Sequence, residues 1–309
     1  MEREWRAPFA VDVRAVLSVH RRGAGDPAFS AGPDGAIWRA CRTPDGPGAL
    51  RLAWRPLPAE RASAGRTVVH AAAWGAGAAW LLDSVPGLLG GGDRPEDFVP
   101  AHPILREAVR RHPAVRIGRT GLVFEALVPA VLEQKVVGME ATRAWRTLLR
   151  RYGDPAPGPA PDGMRVPPGP AGWASIPSWE WHRVGVEAVR ARTIAAAARV
   201  AGRIEEIAAL GQDEADARLR TLPGIGPWTS AEVRQRACGD ADAVSVGDYH
   251  LPSIVGWALA GRVVDDDGML ELLAPYRGHR HRASILATLS GAGPPRRAPR
   301  MAVRDYRAL

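Results

Sequence analysis

Lysine is almost missing from this chain of 309 residues: Lys135 is the single one, and every other side chain among the 41 basic residues is arginine. Cysteine is nearly as scarce, with only Cys41 and Cys238. Two thiols cannot build a disulfide framework, and they fit a reducing compartment such as the cytosol. They also fall short of the four closely spaced cysteines that an iron–sulfur cluster needs, which excludes that cofactor. No apolar run is long enough to span a bilayer, and Met1-Glu-Arg-Glu-Trp-Arg6 leads into mixed sequence without the pattern of a signal peptide. His279 and His281 have no third metal ligand nearby, and Arg280 and Arg282 around them would repel a cation. That cluster reads as a basic patch and not as a metal centre. Internal repeats are absent as well.

What is present is an excess of positive charge, 41 basic against 33 acidic side chains, for a formal net charge of +8. Such a balance points to a polyanionic partner, nucleic acid before membrane. The Ala, Arg, Gly and Pro bias is also that of a GC-rich genome, so the charge supports this partner without establishing it. Hydrophobic residues at 46% and charged residues at 24% are ordinary for a soluble globular protein. The length suffices for two domains.

The first 98 residues carry strand signals. Residues 9–20 place Val11, Val13, Ala15 and Leu17 in alternation, which predicts a strand. Ile37–Arg42 and Leu50–Trp54 alternate likewise around the turn residues Pro44-Asp-Gly-Pro-Gly48, and Arg66–His70 gives a third strand. Ala76–Leu82 reads as helix. From Pro103 onward the chain is helical: Ile104–Arg111 is short and basic, and Leu122–Val137 is strongly apolar with Pro129 expected to start, kink or break it. Met139–Tyr152 is amphipathic, with Ala141, Trp145, Leu148 and Leu149 on one face. Residues 153–172 are rich in Pro and Gly and read as a mobile loop. Val186–Ala201 is another amphipathic helix, with Val186, Val189, Ile194, Ala197 and Val200 expected inward. The expected organisation is an N-terminal α+β domain over 1–98, a helical domain over 99–293 and a basic tail over 294–309.

The stretch with the most chemistry is Leu222-Pro-Gly-Ile-Gly-Pro-Trp-Thr-Ser230, followed by Val246-Gly-Asp-Tyr-His-Leu251. Gly224 and Gly226 leave backbone amides unshielded around the apolar Ile225, and Pro227 can open a helix without losing a hydrogen bond. Bare N–H groups at such a turn suit a phosphate. Pro-Gly-x-Gly alone would be an ordinary connection between helices. Continued into Trp-Thr-Ser and followed by Asp248, it resembles the hairpin of the helix-hairpin-helix DNA glycosylase superfamily, and in particular the 3-methyladenine DNA glycosylase II type. The resemblance covers about residues 100–290 at motif level and the N-terminal domain more loosely. It implies a mainly α fold, an all-helical glycosylase core preceded by an antiparallel sheet with helices.

The resemblance also assigns roles. Leu222, Gly224, Ile225 and Gly226 would grip a DNA phosphate, holding register without reading bases. A monovalent cation on the loop carbonyls often assists related hairpins. Asp248 would be the catalytic carboxylate, stabilising a sugar that turns oxocarbenium-like as the glycosidic bond breaks, or orienting the attacking water. On residue type alone, Asp248 reads as a helix cap, and the roles are compatible. Trp228 is either a core aromatic or part of the base pocket, with Tyr249 and Tyr276 as further pocket candidates. A bifunctional relative carries a lysine at the position of Trp228, so a monofunctional enzyme is implied. Gln134 and Lys135 stand where the family inserts a minor-groove wedge. Lysine there can reach a phosphate or the orphaned base, or lend weak lyase activity. Arg277, Arg280 and Arg282 are candidates for the DNA backbone. The whole points to base-excision repair of alkylated purines (3-methyladenine and 7-methylguanine type) in double-stranded DNA, by a monomeric bacterial enzyme of the cytoplasm and nucleoid, with no cofactor and no membrane. A non-catalytic DNA-binding protein is the alternative.

Overall fold

Residues 1–56 and 67–294 are described by a computed structural model. Arg66, and the basic tail from residue 295 with Arg296, Arg297 and Arg300, lie outside the described residues. Strands β1 (Glu2–Arg6), β2 (Phe29–Ala31), β3 (Ile37–Thr43), β4 (Gly46–Pro56) and β5 (Thr67–Gly75) form one antiparallel sheet in the order β1-β5-β4-β3-β2. The tight turn at Pro44-Asp45 pairs Thr43 with Gly46, whose φ of +121° is a conformation only glycine adopts without strain. Alternation then sends Leu50, Leu52, Val69, Ala71 and Ala73 to one face. Helices α1 (Val13–Ser18) and α2 (Ala78–Leu88) cover that face with Val13, Val16, Leu17, Leu81, Leu82 and Val85.

Helix α1 corrects the strand expected over residues 9–20. The side chain of Asp12 accepts a hydrogen bond from the Ala15 amide at 2.9 Å, capping the helix. Val13, Val16 and Leu17 are buried at helical spacing. A short apolar run satisfies both periods, and the cap decides between them.

The opposite face of the sheet is covered by the Pro/Gly segment. Met164, Val166, Ala156 and Ala160 pack on Trp38, Ala40 and Trp74, and the Trp38 and Trp74 rings stack at 5.2 Å. Strands β6 (Asp154–Pro155) and β7 (Arg165–Val166) pair within it, and the Arg165 amide donates to Pro27 O at 2.7 Å. The segment expected to be mobile is therefore a packed cover. Proline and glycine exclude a helix there but do not prevent burial of the apolar residues between them.

Helices dominate the remainder: α3 (Pro103–Arg111), α4 (Val123–Leu132), α5 (Gly138–Tyr152), α6 (Pro170–Ser175), α7 (Ser178–Arg183), α8 (Ala188–Arg199), α9 (Ala201–Glu205), α10 (Gln212–Arg220), α11 (Pro227–Val233), α12 (Leu251–Ala260), α13 (Asp266–Leu273) and α14 (Arg280–Leu289). Helix α4 is the centre of this group. Every residue but Glu125 is buried, and the helix runs through Pro129 without ending there. The Glu205 carboxylate accepts from the Val123 and Phe124 amides at its start (2.7 and 3.0 Å), and Arg190 of α8 donates to Leu132 O at its end (2.8 Å). Because α8 begins at Ala188 with Arg190 inward, its phase leaves Val189 and Val200 exposed, contrary to the sequence expectation.

Helices α3, α12, α13 and α14 enclose a separate core around Phe98, Leu105, Val255, Met269, Leu273 and Leu286. The buried Arg282 of α14 reaches across to the buried Asp93, whose other oxygen accepts from the Ile117 amide at 2.9 Å. Removing one partner leaves the other charge buried and unpaired. Asp93→Ala is expected to destabilise the protein by about 3–5 kcal/mol in urea denaturation, and Asp93→Asn by less. A loss below about 1 kcal/mol for Asp93→Ala would show that water reaches the pair.

Candidate active site

The hairpin joins α10 to α11 across residues 221–226. Ile225 is buried and anchors the loop, while its amide donates to Leu222 O at 3.1 Å. Gly224 has φ +85°, and a Cβ at this position would lie 2.2 Å from Thr193 Oγ1 of α8. Only glycine allows the loop to lie against that hydroxyl. Among the described residues the Gly224 and Gly226 amides have no acceptor, which leaves both N–H groups available to a ligand. The carbonyls of Leu222 and Gly224 already accept from the Ile225 amide and from Gln134 Nε2, so a monovalent cation would have to share them.

Charged and polar pairs lock the two helices of the hairpin together. Asp216 of α10 accepts from Ser230 Oγ at 2.6 Å and from Arg234 Nη2 at 3.2 Å, and Arg234 also pairs with the buried Asp240. A π-helical turn, Arg234–Cys238, extends α11 and ends at Gly239 in the left-handed region. From it, Gln235 Nε2 donates to Ala243 O and Ser245 Oγ, both at 2.9 Å. Ser245 Oγ in turn donates to Glu232 Oε1 at 2.6 Å. The segment leading to Asp248 is thus fixed along α11.

Asp248 itself follows Gly247 (φ +90°), whose amide donates to the Asp266 carboxylate at 3.0 and 3.1 Å. The amides of His250 and Leu251 donate to Asp248 Oδ1 (2.8 and 2.9 Å), and Trp228 Nε1–H donates to Oδ2 (3.2 Å). One oxygen is therefore spent on the start of α12. The other takes a single longer bond and keeps capacity to accept. Asp248 and Trp228 are half-buried, so the carboxylate lies near the surface and not in the interior. Two cavities, of about 40 and 230 Å³, lie elsewhere, the larger behind the hairpin between Asp216, Pro227, Arg234 and Arg280.

Other candidate residues fall in different places. Tyr249 is next to Asp248, exposed, with its ring edge-on to His250. Tyr276 is enclosed in the fold. It is buried against Phe98, and its hydroxyl accepts from the His102 amide at 3.0 Å, so it packs in the α3–α14 core. Arg277 is exposed, as a backbone contact requires. Arg282 is buried on Asp93, and Arg280 donates through its amide and Nε to Asp242 Oδ1 (3.0 and 2.9 Å). The Asp242 hydrogen bond holds Arg280 above its ordinary value. Arg282 is therefore closed off from a phosphate, whereas Arg280 stays partly exposed beside Asp242; the sequence places neither acid next to its arginine. Desolvation, with Arg236 and Arg282 beside it, pushes His281 down to about 3, so it adds no charge to a basic patch.

Gln134 and Lys135 lie in the turn after α4. Gln134 does not point outward: both protons of Nε2 are used, on Gly224 O (2.9 Å) and Thr229 Oγ1 (2.8 Å). Lys135 is exposed and has φ +54°, the one non-glycine with positive φ among the described residues. Ser245, Gln235, Glu232 and Asp266, which place the Asp248 turn, are not singled out by the sequence, since nothing in it shows their long-range partners.

The fold is that of the helix-hairpin-helix DNA glycosylases. The chain aligns with the 3-methyladenine DNA-glycosylase of Archaeoglobus fulgidus at a TM-score of 0.69, covering 93% of this chain and 97% of that one with 19% identity. It also aligns with the 8-oxoguanine glycosylase/lyase of Clostridium acetobutylicum in complex with double-stranded DNA (TM-score 0.67; 94% and 96% covered; 11% identity). In sequence the chain resembles AlkA, the probable bifunctional transcriptional activator/DNA repair enzyme of Mycobacterium tuberculosis, with 33% identity over 153 residues. That match spans 49% of this chain and 30% of the relative. No family model matches the chain.

A side chain at position 224 would meet both a disfavoured φ and the Thr193 hydroxyl. Gly224→Ala is expected to cost about 1–3 kcal/mol of stability in a thermal melt. Its affinity for duplex DNA, read by fluorescence anisotropy, is expected to drop at least about tenfold. Unchanged affinity would remove the hairpin from the DNA interface.

Proposed function

We propose that the protein is a DNA glycosylase of base-excision repair that acts as a monomer on alkylated purines and leaves an abasic site. The observation that carries this is the placement of Asp248: a half-exposed carboxylate, held on both oxygens, one indole away from a loop with two unused amides. Gly224 and Gly226 N–H groups bind a phosphate, which sets the register of the duplex. The damaged nucleotide is turned out of the stack, at a cost of a few kcal/mol that is least for a weakly paired base. Asp248 Oδ2 then faces the sugar as positive charge develops at C1′, and the same oxygen can orient the attacking water. Trp228 keeps that oxygen aimed, and its electron-rich face attracts a cationic base.

A single carboxylate suffices when the leaving base already carries positive charge, as an alkylated purine does. No partner acid is needed, and no cofactor enters the reaction. Tyr249, exposed next to Asp248, is available to stack on the flipped base. Lys135 and Arg277 remain for the DNA backbone.

The test is mass spectrometry of bases released from alkylated genomic DNA. The expected products are methylated purines, with no borohydride-trapped protein–DNA adduct. Asp248→Asn should lower the rate of release on the order of a hundredfold or more and retain DNA binding. Binding without release by the native protein would leave a non-catalytic DNA-binding role, and an adduct lost in Lys135→Ala would assign lyase chemistry to Lys135.

A further inference from the structure

The turn that carries Lys135 is braced from three directions. Upstream of it, Arg190 of α8 donates to Leu132 O at 2.8 Å, and Arg22 Nη1 pairs with Glu133 Oε1 at 3.0 Å. Arg22 comes from the loop between α1 and β2, which is itself pinned by the buried Asp26. That carboxylate accepts from the Arg22 amide (2.7 Å), the Ala28 amide (3.0 Å) and Trp145 Nε1 of α5 (2.9 Å). The third brace is Gln134, bound to Gly224 O and Thr229 Oγ1 of the hairpin. Between these ties, Lys135 is kept in a left-handed conformation that a side chain adopts only when its surroundings over-determine it.

We propose that Gln134 is a positioning residue that couples the phosphate-gripping hairpin to the Lys135 turn, and that the sheet-bearing half contributes the second arm of this brace through Arg22 and Glu133. In this arrangement Gln134 does not enter the duplex. Its amide transmits the seating of the hairpin to a neighbouring residue, so that Lys135 meets DNA at a fixed offset from the bound phosphate. The proposal assigns the sheet-bearing half a part in DNA engagement, and it rests on the DNA-binding part of the function proposed above and not on base release.

Lys135 is the only lysine of the chain, so acylation by an amine-reactive reagent, followed by peptide mass spectrometry, reads this turn directly. The probes are a duplex with a tetrahydrofuran abasic analogue and the same duplex undamaged. With saturating analogue duplex, Lys135 acylation in the native protein is expected to slow at least about tenfold. In Gln134→Ala and Gln134→Glu, at DNA concentrations that restore saturation, protection is expected to fall to within about twofold of the DNA-free protein. Arg22→Gln should give an intermediate loss, and in Arg22→Gln/Gln134→Ala the Arg22 change should add nothing further. Protection in both Gln134 variants equal to that of the native protein overturns the proposal, as does an unprotected Lys135 in a saturated native complex. Failure to bind either duplex overturns this proposal and the glycosylase reading together. Protection that depends on Gln134, in a protein that releases no base, keeps the brace and removes only the enzyme.

Discussion

The burial of α4 constrains everything around it. A helix that is apolar on all sides must be enclosed on all sides, and only its single acid, Glu125, turns toward polar company. That acid meets Arg39 at 3.4 Å and accepts from the Arg42 amide at 3.0 Å, both on β3, so the sheet closes one flank. Burial pushes Glu125 above the usual carboxylate range, and Arg39 draws it partly back. Glu205 supplies acceptors to the amides at one end, and Arg190 a donor to the carbonyl at the other. With both ends satisfied by side chains from separate elements, α4 has one position available. Its last turn consequently delivers residues 133–137 to the side of the hairpin.

The same economy governs the catalytic candidate. Asp248 is a helix-start acceptor and a carboxylate tied through Trp228 to the start of α11 at once, and the two roles use different oxygens. Fixing Oδ1 on two backbone amides removes the rotational freedom that an aimed group would otherwise lose on reacting. Charge is spent in a similar way. Arg22, Arg234, Arg236, Arg280 and Arg282 are each paired with an acid of the fold, and because every such pair is neutral the net charge of +8 rests on the other basic side chains. Those five arginines serve as internal wiring.

Local signals were readable where a residue's chemistry acts on its immediate neighbours. Pro44-Asp45 ahead of Gly46 marked the turn of a hairpin, and Pro227 after Gly226 marked the start of α11. The amphipathic face of α5 was legible, because Ala141, Trp145, Leu148 and Leu149 repeat at the helical period. At residues 9–20 two periods fitted the same apolar residues, and a single capping bond from Asp12 settled the matter. At α8 the phase was set by a buried arginine, a residue type that amphipathic patterning assigns to the outside.

From its own residues the sequence determined a glycine-framed loop with exposed amides, a carboxylate shortly downstream and an indole between them, since backbone freedom and side-chain type are properties of single positions. Tertiary structure alone decided which arginines remain for a ligand, where Tyr276 and Gln134 point, and what holds Asp248 in line. Those outcomes depend on partners tens of residues away, as with Gln134 and Gly224 or Arg282 and Asp93. A buried charge or amide takes whichever partner the packing brings within hydrogen-bond reach, and the order of residues along the chain carries no record of that distance.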